Sequence, residues 1–247
     1  MGTSQGSVTE SLDAIERRIR SACERAGRPR ESVTLIGVSK RQPLERLHAA
    51  YGAGLRTFGE NQVQEALGKV EVMPSDVDWH FIGHLQSNKL GKAAQYFDTI
   101  HSVDRPKTGR ILEQKAGAFS RRLRLFVQVN LGEEPQKQGF SPRGLPDAIR
   151  PMADHEHSEV VGLMAIPPRE PGDDAQRLEA ARGWFSRLRD LRDELASRPE
   201  WSGFPGWLSM GMSHDFEVAI AEGATHIRVG SSIFGERPVP ARAEAGG

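Results

Sequence analysis

Apolar residues follow two rhythms along this chain, and the rhythms alternate. Over residues 8–27 Leu12, Ile15, Ile19 and Ala22 fall on one helical stripe with arginines opposite, and Gly27 and Pro29 stop the pattern. Beyond it come eight short apolar runs of strand length: 34–39, 57–59, 79–83, 99–103, 124–130, 160–166, 206–210 and 227–230. Helical stretches separate them, at 43–51, 61–72, 88–96, 106–118, 142–154, 175–196 and 215–222. Several open on proline or on Ser, Asp or Asn, as helix starts do. Eight strands with helical crossovers predict an α/β fold, a single (β/α)8 barrel of the TIM type with an extra N-terminal helix. An open doubly wound sheet is the alternative; it is disfavoured by the count of eight and by the lack of a Gly-x-Gly-x-x-Gly turn after the first strand. Residues 1–7 are expected to be a flexible N-terminus, 8–238 the barrel domain and 239–247 a disordered tail.

Composition narrows the picture. Lys plus Arg and Asp plus Glu are 33 each, a net charge of zero, which argues against a nucleic-acid partner. The single cysteine, Cys23, excludes an intrachain disulfide and suits a reducing compartment. Cys23 sits in a helical pattern and reads as a small buried residue. There is no secretory signal and no apolar run approaching ~18 residues, so no membrane partner is expected and the expected place is the cytoplasm.

In such barrels chemistry gathers at the carboxyl ends of the strands. The first strand ends in Ser39-Lys40, with Lys40 on the parity of Ile36 and Val38. A lysine held in an apolar wall loses pKa and becomes a nucleophile toward carbonyls; a lysine just past a strand can equally point into water. The last strand ends in Arg228-Val-Gly-Ser-Ser232. Gly230 lets backbone approach an anion, and Ser231 and Ser232 add hydroxyls at the start of a short helical turn. Ser209-Met-Gly-Met-Ser213 forms the neighbouring wall. Taken singly, each is also an ordinary tight turn. Together, at strands seven and eight, they suggest a phosphate site facing an amine, which is what a phosphorylated aldehyde needs. Arg228 could contact the phosphate or a ring nitrogen, or serve as an ion-pair partner. His80, His84, His101 and His214 have no metal-site spacing and read as pocket or core residues.

These motifs are recognisable in combination. Val38-Ser-Lys40, Phe58-Gly-Glu-Asn-Gln-Val-Gln-Glu65, Trp79-His-Phe-Ile-Gly-His-Leu-Gln-Ser-Asn-Lys89, His101-Ser-Val-Asp104, Gln128-Val-Asn130, Lys137-Gln-Gly-Phe140, Gly162-Leu-Met164, Leu208-Ser-Met-Gly-Met-Ser213 and Arg228-Val-Gly-Ser-Ser-Ile-Phe-Gly235 run in order through residues 33–236. The chain thereby resembles the pyridoxal-phosphate homeostasis protein family. The resemblance implies a barrel like the N-terminal domain of alanine racemase and pyridoxal 5′-phosphate (PLP) as cofactor, held by Lys40 as an internal aldimine. It implies that Gly230 and Ser231, with Ser209 or Ser213, hold the phosphate and that Arg228 faces the pyridine nitrogen. Asn61, His80, Asn130 and Met164 would line the pocket. Departures are few: Arg41 is larger than the residue many relatives carry after the lysine, and His214 stands where the family varies.

Three functions compete. A PLP carrier that buffers the cofactor and hands it to apo-enzymes is favoured over a racemase or decarboxylase of the same fold. The chain has only Tyr51 and Tyr96 as tyrosines, neither at a strand end, and it ends just past the eighth strand, so a second catalytic base and a racemase C-terminal domain are not expected. A monomer is expected for the same reason. A lysine-dependent aldolase would explain the amine and the anion site but not the Asn61, Met164 and Met210 motifs.

Overall fold

The computed structural model describes residues 7–168 and 170–236. The expected tail 239–247 and residues 1–6 lie outside them. Ser7, placed on sequence with the flexible N-terminus, is instead the N-cap of α1 (Val8–Arg25). Its hydroxyl accepts from Glu10 N–H and its own N–H donates to Glu10, a reciprocal capping box.

Eight strands follow, β1 (Thr34–Val38), β2 (Thr57–Glu60), β3 (Asp78–Phe81), β4 (Thr99–Val103), β5 (Leu123–Gln128), β6 (Ser158–Met164), β7 (Trp207–Met212) and β8 (His226–Val229). All pair in parallel, and β1 pairs with β8, so the barrel closes. The crossovers are α2 (Leu44–Gly52), α3 (Val63–Val70), α4 (Leu90–Tyr96), α5 (Pro106–Ala118), α6 (Leu145–Ile149), α7 (Asp174–Ala196) and α8 (Phe216–Ala221), with the single turn α9 (Ser231–Phe234) after β8.

Element boundaries differ from the sequence expectation where a single residue intervenes. The stretch expected to be helical over 142–154 breaks after α6 into a 3-10 turn, Arg150–Met152. Pro151 has no N–H to donate and its ring blocks the preceding turn. The strand expected to reach Asn130 stops at Gln128, because Val129 bridges to Phe140 and Asn130 turns its amide into the following loop.

The crossover helices bury one face each against the strands. α1 covers the seam where β8 meets β1, packing on α2, α8 and α9. It buries Leu12, Ile15, Ile19, Ala22 and Cys23, and each fully buried leucine or isoleucine contributes about 1.5–3 kcal/mol before entropy is counted. Arg18 reaches Glu217 at 3.2 Å from its flank. The barrel interior differs from the helical shell: Phe126, Val161 and Met164 share it with His80, His101, His226, Ser209 and Arg228, all buried. Among the described residues no helix is long and apolar enough to cross a membrane.

Candidate functional site

β1 delivers its last residues to the carboxyl mouth of the barrel, and neighbouring elements hold the turn that follows. Ser39 N–H donates to Gly59 O at 3.0 Å, and the Ser39 hydroxyl donates to Glu60 Oε1 at 2.6 Å. Lys69 of α3 donates to Ser39 O, Glu60 Oε1 and Glu65 Oε1, each at 2.7 Å. Arg41, in the left-handed region at φ 57°, donates its N–H to Glu65. Lys40 lies between two residues whose backbone is tied to α3. Glu60 is fully buried, and desolvation raises its pKa despite the ammonium beside it.

Lys40 is half-buried and lines a cavity of about 380 Å³ with Val38, Gln42, Gly230, Ser231, Gly235 and Glu236. The two ends of the barrel sequence therefore meet in one cavity. Gly230 is there because space is short: a Cβ on it would stand 3.3 Å from both Cβ and O of Val38. It caps α9 through its carbonyl, which accepts from Ile233 and Phe234 N–H at 2.9 and 3.0 Å. The first N–H groups of a helix have no partner inside it, so Ser231 brings a donor to the cavity rim. Arg46 of α2 fixes that rim from behind, donating to Gln42 Oε1 and to the carbonyls of Phe234 and Glu236 at 2.9, 2.6 and 2.9 Å.

Arg228 is buried on β8, inside the barrel. One Nη donates to Ser209 Oγ at 2.6 Å and the other to Ala165 O at 3.1 Å. Burial brings its pKa down to about 10, partly offset by Asp215. Burial in turn raises Asp215. Asn61 stands just past β2, and its Oδ1 is buried without a hydrogen-bond partner among the described residues. Gly83 makes room for it: a Cβ there would lie 2.2 Å from Asn61 O.

Other expected residues take other places. His80 is buried in the barrel interior, bonded to Asp78 and His101. Asn130 organises the β5–α6 loop, donating to Glu134 O and Lys137 O and accepting from Glu134 N–H. Met164 is buried beside Phe126 and Val161. Ser213 is half-buried in the β7–α8 loop and is not among the residues lining the 380 Å³ cavity. A larger groove of about 870 Å³ opens between the β6–α7 and β7–α8 loops, around Ile166, Met212 and His214, without Lys40 or Gly230. Sequence reasoning gave no role to Gln42, Arg46, Glu60, Glu65 or Lys69. Only the Glu65/Lys69 spacing of four on α3 offered a signal.

The residues present fit a phosphorylated aldehyde carrying a hydroxyl. An amine and a glycine–serine rim share one cavity, a buried cation with unused donors lies inside the barrel, and a buried acceptor lacks a donor. Comparison with known proteins agrees. Residues 11–238 match the family model described as alanine racemase, N-terminal domain. A protein of Aquifex aeolicus named pyridoxal phosphate homeostasis protein is 41% identical over 229 residues, covering 92% of this chain and 97% of that protein. Its namesake from Pseudomonas aeruginosa is 41% identical over 93% of this chain. The structure of PipY of Synechococcus elongatus with PLP bound is 39% identical, with a TM-score of 0.75 over 90% of this chain and all of that one. An alanine racemase of Clostridium difficile, 13% identical with a TM-score of 0.67, shares the fold across 58% of its own length. With a near-full-length match to the first two and the barrel of the others, this chain belongs to the pyridoxal phosphate homeostasis protein family.

Proposed function

We propose that this protein binds PLP at the carboxyl mouth of its barrel, with Lys40 as the covalent anchor, and works in PLP homeostasis as a carrier that gives the cofactor up to apo-enzymes. Bound PLP would supply an aldehyde that condenses reversibly with amines. The observation that carries the reading is the shared cavity of Lys40, Gly230 and Ser231. In it Lys40 holds the aldehyde end. The α9 amides and the Ser231 hydroxyl would hold the phosphate dianion at the cavity rim. Arg228 would donate toward the ring nitrogen, and with a pKa of about 10 it would keep its own proton. Asn61 Oδ1, a buried acceptor, would accept from the ring hydroxyl. The clamp on Ser39 and Arg41 keeps the anchor at the mouth, while the open cavity lets the cofactor leave. A monomeric protein in the cytoplasm fits this role.

The test is a titration of ligand-free protein with PLP, followed by borohydride reduction and peptide mass mapping. The expected result is a saturable visible band and a pyridoxyl label on Lys40. A label on another lysine with Lys40 unmodified would reject the assignment, and no band at all would reject the function.

A further inference from the structure

Through the barrel interior runs a hydrogen-bonded chain whose direction its chemistry fixes. Arg228 Nη1 meets Ser209 Oγ at 2.6 Å, and Ser209 Oγ meets His101 Nδ1 at 2.8 Å. His101 Nε2 meets His80 Nδ1 at 2.9 Å, and His80 Nε2 meets Asp78 Oδ2 at 3.1 Å. The other Asp78 oxygen accepts from Arg124 at 2.7 Å. Asp78 opens β3 at the amino-terminal mouth and is a third exposed, while every group between it and Arg228 is buried.

A guanidinium can only donate. Ser209 must therefore accept from Arg228, and its hydroxyl hydrogen has His101 Nδ1 as its acceptor. A neutral His101 then carries its proton on Nε2 and donates to His80 Nδ1. A neutral His80 carries its proton on Nε2 and donates to Asp78, a carboxylate that only accepts. Every hydrogen in the chain is used once and all four bonds point from Arg228 to Asp78. A protonated His80 would reverse the upper half. His101 would donate to Ser209, and the serine hydroxyl would lose its acceptor among the described contacts. It would also set a cation against His101 and against His226, whose ring centroid lies 6.0 Å away. Phe126 stacks on His101 at 4.3 Å and keeps that side apolar. Burial, the first cause, holds His101 and His226 well below the ordinary imidazole pKa, consistent with neutral rings.

We infer that Asp78, at the far end of the barrel from Lys40, is a positioning residue for Arg228. Acting through His80, His101 and Ser209, it keeps the Ser209 hydroxyl hydrogen on His101 and turned away from the buried guanidinium. Among the described residues Arg228 has no carboxylate as a hydrogen-bond partner, Asp215 acting on it only through space, so this relay links it to a second, distant anion and holds its plane. The remaining guanidinium donors are left for a ligand ring. The ligand-facing half of this inference rests on the PLP reading; the relay itself does not.

Ligand-free protein with 15N-labelled histidine, observed by long-range 1H–15N correlation at pH 7.5, tests the relay without cofactor. His80 and His101 are both expected as Nε2–H tautomers. Either ring as Nδ1–H, or His80 doubly protonated, overturns the inference. In Asp78→Asn the carboxamide keeps its oxygen for Arg124 and turns N–H toward His80. Both tautomers are then expected to reverse, three bonds away at His101, and the PLP dissociation constant to rise about fivefold, the worth of one hydrogen bond. An unchanged His101 tautomer in this variant shows that Asp78 does not set the direction. A reversed tautomer with unchanged PLP affinity shows that the relay does not position Arg228. Failure of the wild-type protein to bind PLP would sink the functional reading and leave the tautomer result standing.

Discussion

Lys69 Nζ lies 2.7 Å from the carbonyl oxygen of Ser39, the residue immediately before Lys40. The same ammonium pairs with Glu60 and Glu65, so one side chain of α3 joins the end of β1, the end of β2 and its own helix. The expected consequence is asymmetric. Lys69→Met leaves the fully buried Glu60 without its cation and should cost about 3–5 kcal/mol, read from urea unfolding. Glu60→Gln removes the buried charge while Lys69 keeps Glu65, and should cost much less. Equal losses in the two variants would show that the pair does not behave as a buried ion pair.

The close approach of Gly83 to Asn61 gives a second expectation. A methyl on residue 83 would stand 2.2 Å from a backbone oxygen and 2.6 Å from Asn61 Cα, and a backbone cannot swing aside as a side-chain tip can. Gly83→Ala should therefore destabilise by about 1–3 kcal/mol and displace Asn61. Its PLP affinity should fall with it. Gly68→Ala, where a Cβ meets nothing within 4 Å on α3, is the control and should be neutral or slightly stabilising. Similar behaviour of the two variants would deny Gly83 its spacing role.

The sequence made the barrel legible because its signals are local. Each strand is a short apolar run beside a helical stretch, and only closure between β1 and β8 is non-local. Lys40 and Gly230 were legible for the same reason, since strand-end position alone brings them to one mouth. The interior was not. His101 on β4 meets Ser209 on β7, 108 positions away, and nothing in either stretch announces the other. His80 was expected at the pocket because it sits near a strand end, but Asp78 and His101 hold it below. Asn130 closes the motif Gln128-Val-Asn130 at a strand end and spends its amide on loop carbonyls. Ser7 was lost to a polar terminus whose capping value depends on Glu10 three residues on.

The positions of the two tyrosines bear on turnover. Tyr51 stands near the end of α2 with its hydroxyl 2.6 Å from Asp76, which precedes β3. Tyr96 ends α4, just before β4. Helices in this barrel run back against the strands, so both lie toward the amino-terminal mouth, opposite Lys40. No tyrosine of this chain is placed to take a proton across the ring from Lys40. Incubation of the PLP-loaded protein with L- or D-alanine should give no enantiomer exchange above that of free PLP, measured by chiral chromatography. Clear exchange would favour a racemase.

Buried imidazoles should make stability fall on mild acidification. His101 and His226 have folded pKa values well below the ordinary histidine value, with desolvation as the first cause. At these two rings the unfolded chain therefore binds more protons than the folded one below roughly pH 6.5. The stabilisation is fully present above that pH. It is lost as pH falls toward the folded values, by about 1.4 kcal/mol per pH unit for each ring. His155, lowered by burial although Glu113 and Asp154 oppose the shift, adds a smaller part. Unfolding free energies measured in urea at pH 7.5, 6.5 and 5.5 should be level over the first interval and drop by about 2–3 kcal/mol over the second. His226→Gln should remove close to half of that drop. An unchanged free energy between pH 6.5 and 5.5 would mean that these rings take up protons inside the fold, and the neutral interior relay could not then exist as described.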